Sequence, residues 1–585
     1  MCLLEVKDFS FTYAQETECA LKNISFQIEE GGFYLLCGQS GSGKTTLLRQ
    51  LKTVLAPQGK AGGEIFFSGR KLKDVSEIEQ AQKIGFVFQN PEEQFVTDKV
   101  WHELAFGLES ISCPQEEMHI RVAELSSYFG ITDWFEKEVS VLSGGQKQLV
   151  NLASVLLMNP KLLILDEPVA QLDPVAASDF LHTLLRIHKE MGMTILLSEH
   201  HLEEVFSYAD RIFVMEQGKL SIQGAPAEVG ESLLKGNHEM FLSMPAPMQI
   251  SARCGEEKKL PYTVAMGRKW LWERLSFEKR ERKDLVVSGQ GKCGKKEADD
   301  RKEAEYAIEV KRAWFQYETG SSWLLKEASL SVKRGEIFAL LGGNGVGKST
   351  FLRTIPGILP LFRGKIFLFG KLLKKYTKKE LFDHFIGVLP QDVSSLFVKE
   401  TIREELLFLA DEKEVKNIAE KLHIISFLDR HPYDLSAGEQ QKAALAKVLL
   451  MKPALLLLDE PTKSLDAHFK REFGEILKDL KKEGVTVFLV SHDIEFCAEY
   501  ADRAGLYFRG QVEAAADVRT FFSKNYFYTT ITNRMARDFV ADAIVPEDII
   551  ALVGKALKPV DGSFAFREEC QEVMKEGEKM CDIGG

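Results

Sequence analysis

Apolar and polar positions along the chain follow two different periods. From Leu3 onward they alternate with the two-residue period of a half-buried β-strand, which places Phe9, Phe11 and Tyr13 on one face. Continuous apolar runs, typical of parallel strands buried on both faces, follow at residues 33–37, 84–88, 162–165 and 193–197. Phe9 and Phe11 fit a core, whereas Tyr13 ends the run, where it can pack in the core or stack on a purine.

Helical periods fill the intervals between these strands. We expect helices from residue 46 to about 55, over residues 100–108 and after residue 149, and a wholly helical segment over residues 115–138. Helices that alternate with buried strands predict an α/β fold with a parallel sheet.

The second half of the chain repeats the first. Lys348 lies 304 residues after Lys44, and His492 lies 292 residues after His200, so the offset drifts only slightly. One fold therefore occurs twice, with minor deletions in the second copy. We predict domains at residues 1–235 and 306–518, a charged linker at 236–305 and a C-terminal extension at 519–585.

Two glycine-rich loops each connect an apolar run to a helix. Residues 38–45 and 342–349 both fit G-x-x-x-x-G-K-[ST], a loop whose backbone N–H groups cradle a polyphosphate. Lys44 supplies a cation for the β and γ phosphates, and the Thr45 hydroxyl can ligate Mg²⁺.

Polar residues stand where the apolar runs end, which is where ligands of open α/β sheets collect. Asp166 can hold Mg²⁺, Glu167 can polarise a water for attack on a γ-phosphate, and His200 can sense that phosphate. Gln89 ends another run; taken alone, it is also typical of a polar loop. The second copy repeats this set as Gln391, Asp459, Glu460 and His492.

Ser143 stands at the predicted start of a helix, before Gly144 and Gly145. It can be a simple N-cap, or part of an anion site formed by the open N–H groups of the first turn. Ser436 repeats it in the second half.

Composition narrows the function classes. The net charge of −11 argues against a general affinity for nucleic acid. Nine scattered cysteines without a C-x-x-C pair fit a reducing compartment and suggest neither zinc nor an iron–sulfur cluster. We see no signal peptide and no run of about 18 apolar residues, so we expect partners to hold the chain at any membrane where it works. From about residue 251 to 305, mixed charges favour a partly mobile tether over a basic RNA-contacting arm.

The ordered motifs resemble those of the ATP-binding cassette ATPases over roughly residues 3–230 and 306–518. The resemblance implies two P-loop domains, each with a RecA-like α/β core, an antiparallel β subdomain and a helical subdomain. It also implies head-to-tail pairing, with each ATP between the phosphate loop of one cassette and the Ser-Gly element of the other.

The same resemblance implies the members of each composite site. In the first, Lys44, Thr45, Gln89, Asp166, Glu167 and His200 would face Ser436 and Gly438. In the second, Lys348, Ser349, Gln391, Asp459, Glu460 and His492 would face Ser143 and Gly145. Mg²⁺ would be held by Thr45, Gln89 and Asp166 and by Ser349, Gln391 and Asp459. Further ATP contacts would come from Gly38, Ser40, Gly41, Gly43, Thr46, Gly342, Asn344, Gly345, Gly347 and Thr350. Tyr13 and Tyr317 would stack on adenine, and Asp173 and Asp466 would lie across the cassette interface.

One position departs from the family pattern. Ala437 stands where glycine is usual in the family, and we expect its methyl group to crowd the backbone near the γ-phosphate. Both sites keep a glutamate and a histidine, so we predict two competent sites of unequal rate.

A finer resemblance, to the ATPases of energy-coupling factor (cobalt-type) importers, comes from residues 89–95, 100–109 and 198–200. It implies an integral membrane coupling subunit, a substrate-binding membrane subunit and a peripheral position at the cytoplasmic face of the membrane. Glu92, Glu93 and Glu103 are candidates to receive basic residues of the coupling subunit, or form a solvated acidic loop. The transported vitamin, vitamin precursor or metal ion stays open. Residues 525–534 resemble a tail of fused two-cassette members.

Two other functions compete with transport. A soluble tandem-cassette translation factor also lacks membrane spans and carries a charged linker, but the acidic net charge and the Asn90-Pro91-Glu92 sequence count against it. A DNA-repair cassette ATPase would need a long coiled-coil insertion, and the sequence has no sustained heptads.

Overall fold

A computed structural model describes most of the 585-residue chain. The described residues are 2–14, 16–39, 41–172, 174–200, 202–281, 306–318, 322–343, 345–382, 385–463, 465 and 467–556. Ser40, Asp173, Asn344 and Asp466, which the sequence assigns to the sites, lie outside them, as do residues 282–305 and 557–585 of the predicted linker and C-terminal extension.

The first cassette contains two sheets. Its strands are β1 Cys2–Tyr13, β2 Leu21–Glu29, β3 Phe33–Gly38, β4 Gly59–Phe67, β5 Arg70–Lys71, β6 Ile84–Val87, β7 Leu162–Asp166, β8 Thr194–Ser198, β9 Arg211–Glu216 and β10 Lys219–Gly224. An antiparallel sheet has the order β2-β1-β4-β5. The second sheet, β10-β9-β3-β8-β7-β6, is parallel except at β9–β10.

The helices of this cassette within the described residues are α1 Lys44–Gln50, α2 Glu77–Lys83, α3 Val100–Ser110, α4 Gln115–Tyr128, α5 Gly144–Leu156, α6 Pro174–Met191 and α7 Pro226–Lys235. Helices α3, α4 and α5 share a separate core that includes Val100, Leu104, Val122 and Val150, and they form the helical subdomain. Two helices follow, α8 Ala246–Arg253 and α9 Val264–Glu281.

The second cassette repeats this architecture. Its strands are β11 Tyr306–Phe315, β12 Leu325–Lys333, β13 Ile337–Leu341, β14 Arg363–Leu368, β15 Lys371–Leu372, β16 Ile386–Leu389, β17 Leu455–Asp459, β18 Thr486–Val490, β19 Arg503–Phe508 and β20 Gln511–Asp517. Its helices are α10 Lys348–Thr354, α11 Lys378–Phe382, α12 Ile402–Leu407, α13 Glu412–Lys421, α14 Ala437–Leu450, α15 Ala467–Lys482 and α16 Ile494–Tyr500. Then follow α17 Val518–Lys524, α18 Ile531–Ala536 and α19 Pro546–Ala556. The sheet orders, β12-β11-β14-β15 and β16-β17-β18-β13-β19-β20, mirror those of the first cassette.

The predicted strands and the α/β fold are confirmed. Every residue of β3, β7 and β8 is buried, as the continuous apolar runs predict for central parallel strands. On β1, Phe9 and Phe11 are buried and Tyr13 is only partly so. Among the described residues, no helix has the length and apolar character needed to cross a membrane.

The prediction of a wholly helical segment over residues 115–138 is correct only as far as residue 128. Helix α4 ends at Tyr128, and Gly130 has a φ of +66°, a conformation that glycine adopts without steric cost and that ends a helical turn. Short 3₁₀ turns at Thr132–Trp134 and Val139–Val141 follow.

The interpretation of residues 251–305 as a partly mobile tether is wrong for residues 251–281, the part of this range that the structure describes. Helices α8 and α9 pack against α18 and α19, and together the four form what we call the junction module. Its core contains Ile250, Leu271, Met535, Ala536 and Ile549, each with 0% exposure. Charged residues obscured this apolar stripe in the sequence, since eight of the 18 residues of α9 are lysine, arginine or glutamate.

Candidate functional site

Both glycine-rich loops connect a central strand to a helix. In the first loop, Gly43 precedes α1 with a φ of +98°; in the second, Gly347 precedes α10 with a φ of +107°. Both positions need the backbone freedom of glycine, which adopts positive φ without steric cost. Lys44 Nζ donates to the carbonyls of Gly38 and Gln39 at 3.0 and 3.1 Å. The loop thus folds around the lysine amine, with its helix directed at the space a phosphate would fill.

The predicted catalytic residues of the first cassette meet at the carboxyl ends of the strands. His200 Nε2 lies 2.7 Å from Glu167 Oε1 and 3.2 Å from Lys44 Nζ. Gln89 Nε2 donates to Glu167 Oε2 at 2.9 Å. Glu167, on which these contacts converge, is 9% exposed.

The second cassette forms a related cluster. Lys348 Nζ donates to the carbonyls of Gly342 and Gly343 at 2.9 and 2.8 Å and lies 3.0 Å from His492 Nε2. That nitrogen lies 3.0 Å from Glu460 Oε1. Within the described part of the chain, Gln391 does not donate a hydrogen bond to Glu460 as Gln89 does to Glu167. Glu460 Oε2 instead accepts from the His492 backbone N–H at 3.2 Å.

Both candidate bases have a strained backbone. Glu167 has a φ of +44° and Glu460 a φ of +51°, in the left-handed region that side chains other than glycine and asparagine seldom adopt. Their N–H groups donate to the carbonyls of Ser198 and Val490, which fixes the turn after β7 and β17. Strain of this kind is concentrated at functional sites.

Electrostatics distinguish the two glutamates. Burial acts to raise the pKa of Glu167, but the hydrogen bond and charge of His200, together with Lys44, outweigh it and the pKa is lowered. At Glu460, burial and then the charge of Asp459 prevail over Lys348, and the pKa rises to about 7. Burial also lowers the pKa of Lys44.

The aspartates beside them offer oxygen ligands. Asp166 Oδ1 accepts from Ser198 Oγ at 2.8 Å, and Asp459 Oδ1 accepts from Ser349 Oγ at 2.9 Å. Burial raises the pKa of both aspartates. Asp459 Oδ2 is buried and has no hydrogen-bond partner among the described residues. A buried carboxylate oxygen without a donor fits a cation ligand, so the residues present suit Mg²⁺.

The Ser-Gly elements form helix caps. Ser143 and Gln146 make a capping box at the start of α5, and Ser436 and Glu439 make one at the start of α14. Gly145 and Gly438 lie in the first turns of these helices. The pairing of these elements with the opposite phosphate loops stays a prediction, as does the effect of Ala437.

The proposed adenine partners sit beside their phosphate loops. Tyr13 Oη lies 2.8 Å from Thr46 Oγ1, and Tyr317 Oη lies 3.2 Å from Thr350 Oγ1. Tyr317 is 59% exposed, so its ring is accessible to a base. Stacking on adenine stays a prediction. The loop glycines Gly41 and Gly345 have φ values of +77° and +69°.

The candidate role of Glu103 in receiving a partner's basic residue is wrong. Glu103 is 4% exposed, and its Oε2 accepts from the N–H groups of Val96 and Thr97 at 3.1 and 2.8 Å. It therefore closes the loop that precedes α3. Glu92 and Glu93 are exposed, and Glu92 pairs with Lys147.

Two residues that sequence reasoning missed shape the first site. Ser198 Oγ donates to Asp166, and Glu199 Oε2 accepts the His200 N–H at 3.2 Å. Their counterparts in the second cassette are Val490 and Ser491. The signal was available, since the repeated strands end in Ser-Glu-His in one copy and Val-Ser-His in the other.

Comparisons with known proteins show the family of this chain. The family model described as ABC transporter matches residues 21–170 and 325–463. An ABC transporter ATP-binding protein of Bacillus thuringiensis subsp. konkukian is 42% identical over 93% of this chain and 97% of its own length. A Bacillus subtilis protein named for HMP/thiamine import, YkoD, is 33% identical over 86% of this chain and 89% of its own. The structure of cbiO1 from Clostridium perfringens, part of the ABC transporter complex cbiONQ, matches with 33% identity and a TM-score of 0.37. It covers 40% of this chain and 94% of cbiO1.

Proposed function

Since the chain belongs to the ABC transporter ATP-binding proteins, we propose that it is the energy-coupling ATPase of a membrane importer for a vitamin, a vitamin precursor or a metal ion. ATP binding and hydrolysis follow from the family. The importer assignment goes further and is carried by one observation, a set of exposed apolar residues repeated in both cassettes.

The clusters suit hydrolysis of a γ-phosphate. Lys44 and the loop N–H groups would bind the phosphates, and Glu167 Oε2 would accept a proton from the attacking water. His200, bonded to Glu167 Oε1, would hold that carboxylate in place and contact the γ-phosphate. Thr45 and Asp166, with Ser349 and Asp459 in the second cassette, would hold Mg²⁺. The metal ion would neutralise charge on the phosphate oxygens.

Each ATP is proposed to complete its site only when the cassettes close. The first turns of α5 and α14 present N–H groups that Ser143 and Ser436 do not fully use, and helix starts attract anions. Closure on ATP would bring each start to the phosphate loop of the other cassette. Hydrolysis would reopen the pair, and a partner would convert that motion into transport.

A groove beside Gln94 offers the partner a docking surface. It encloses about 560 Å³ and is lined by Val54, Ile78, Val96 and Phe106, which are 52%, 68%, 64% and 37% exposed. Ile358, Val398 and Phe408 stand at the positions of the second cassette that match Val54, Val96 and Phe106, and they are 51%, 80% and 75% exposed. Phe382, which is 37% exposed, matches Ala81, another residue of the groove. Contiguous exposed apolar residues mark interaction sites, and their recurrence favours two similar partner segments.

The proposed partner is an integral membrane coupling subunit, joined by a substrate-binding membrane subunit. The chain would lie peripherally at the cytoplasmic face, held through this groove and through the matching exposed apolar residues of the second cassette. The similarity to a relative named for HMP/thiamine import supports a vitamin precursor as cargo; another vitamin or a metal ion would use the same ATPase.

The test is recovery of the membrane partner from native membranes. The tagged chain is extracted in mild detergent, and copurified proteins and small molecules are identified by mass spectrometry. We expect an integral membrane protein with the wild type, and its loss with the paired variants Val96→Glu and Val398→Glu. Ile120→Glu, at a 67% exposed position on α4 outside the groove, is the matched control and should retain the partner.

Two results would contradict the importer. One is the failure of the wild type to recover any integral membrane protein. The other is sedimentation of the chain with ribosomes, which would favour the translation factor.

A further inference from the structure

Each candidate catalytic histidine lies three residues before a glutamate that contacts the junction module. Glu203 accepts a hydrogen bond from the N–H of Ala246, the first residue of α8. Glu495 accepts one at 2.7 Å from the N–H of Ile531, the first residue of α18. The glutamates are 292 residues apart, as are His200 and His492, so the same contact occurs in both cassettes.

The two helices that these glutamates contact belong to one core. Ile250 of α8 and Met535 of α18 are fully buried in it together. An ion pair at 2.8 Å between Arg253 and Glu547 adds a link between α8 and α19. Because packed side chains resist independent displacement, a shift at the start of α8 also displaces α18.

The histidine loop of the first cassette also lies against the second cassette. A cavity of about 170 Å³ is lined by His200 and Glu203 on one side and by His468 and Lys470 of α15 on the other. Lys470 Nζ binds Asp493 at 2.7 Å, beside His492. The two histidine loops are thus neighbours across this cavity.

The charge of the Glu203 carboxyl group also acts on Glu495. Burial raises the pKa of Glu203 to about 7 and the pKa of Glu495 to about 8, and the charge of Glu203 contributes to the latter shift. Arg534 opposes both shifts, while Glu204 adds to the first and Asp493 to the second. An electrostatic link therefore accompanies the mechanical one.

We propose that the junction module couples the two nucleotide sites, with Glu203 and Glu495 as the positioning residues that connect it to His200 and His492. A γ-phosphate that draws His200 toward it would displace Glu203 and the start of α8. The shared core would carry this shift to α18, Glu495 and the second histidine. The inference rests on the proposed hydrolysis at both sites and adds a route between them.

The test is the dependence of hydrolysis on ATP concentration in the full chain. We expect a sigmoidal curve for the wild type, with a Hill coefficient above 1 and up to about 2, the number of sites. Glu203→Ala and Glu495→Ala should each lower it, leaving only the coupling that closure of the two cassettes supplies. The double variant should be no lower than either single variant, because one broken link interrupts the route. Glu203→Gln keeps an acceptor oxygen and should retain cooperativity.

Ala246→Pro probes the same bond from the donor side. It removes the N–H and leaves Glu203 intact, at the first helical position, where proline is tolerated. We expect the same loss of cooperativity as with Glu203→Ala. Glu204→Ala, at the exposed neighbouring position, is the control and should behave as wild type. Thermal unfolding confirms that each variant is folded.

The outcomes separate this inference from the proposed function. Normal hydrolysis with an unchanged Hill coefficient in Glu203→Ala and Ala246→Pro would overturn the coupling alone, as would a wild-type Hill coefficient of 1. An additive loss in the double variant would indicate two local effects and would also overturn it. A wild type that does not hydrolyse ATP would overturn both.

Discussion

The two cassettes share a fold but arrange the hydrogen bonds of their candidate catalytic glutamates differently. In the first, Glu199 takes the N–H of His200, and Glu167 Oε2 is held by Gln89. In the second, Ser491 stands in place of Glu199, and the N–H of His492 goes to Glu460. A change next to the histidine thus alters which group holds the base.

The neighbouring position adds a second difference. Ser198 donates to Asp166, whereas Val490 has no donor for Asp459, whose Oδ2 is without a hydrogen-bond partner in the described residues. Burial, and after it the negative charge of Asp459, raises the pKa of Glu460 to about 7. The comparison teaches that two strand-end residues can make duplicated sites unequal.

The largest expected effect comes from removing each base. Glu167→Gln and Glu460→Gln should each lower turnover at their own site by on the order of 10²-fold or more. At neutral pH we expect more residual turnover in Glu460→Gln, which keeps the ionised Glu167. Steady-state hydrolysis measures this, with Glu204→Gln as an active control. Equal residual turnover in the two variants would contradict the asymmetry.

A second difference concerns the helical subdomains. Glu405, which corresponds to Glu103, is 1% exposed and binds Lys447 Nζ at 2.5 Å. In the first cassette, Ser154 occupies the position of Lys447, so Glu103 has no such lysine. Lys447→Met should lower the free energy of unfolding by about 3 kcal/mol, because it leaves a buried carboxylate without its cation. Ser154→Ala should cost less than about 1 kcal/mol. Urea unfolding compares them; equal shifts of the midpoint would argue against a role for the ion pair.

A smaller effect is expected in the pH dependence. Glu460 must lose its proton to act as a base, so Glu167→Gln, which relies on Glu460, should gain activity as the pH rises through about 7. Glu460→Gln relies on Glu167, whose lowered pKa leaves it ionised over the same range. Both variants are measured at the same saturating ATP and Mg²⁺ concentrations, so the titration of the nucleotide affects both pH profiles equally. The comparison covers roughly one pH unit on each side of the Glu460 pKa, from pH 6 to pH 8. If the pH–activity profiles of the two variants superimpose over this range, the proposed difference between the pKa values of Glu167 and Glu460 is contradicted.

The sequence predicted the fold and the proximity of most of the candidate site residues, because buried strands and strand-end polar residues leave a clear pattern. Glu167 and His200 lie together as their positions predicted. Glu103 was misjudged because its carboxylate binds backbone N–H groups, which carry no sequence signal. The junction module was missed because the apolar stripe of α9 is narrow and its four helices come from distant parts of the chain.

The strained turn at Glu167 and Glu460 has a consequence for selection. A left-handed conformation costs a residue such as glutamate roughly 1–2 kcal/mol, whereas asparagine adopts it more readily. Replacement by asparagine would relieve strain and buried charge while removing the base. Laboratory evolution that selects for heat resistance alone would therefore tend to replace these glutamates and lose ATP turnover. Only a screen that also demands transport would preserve the two glutamates.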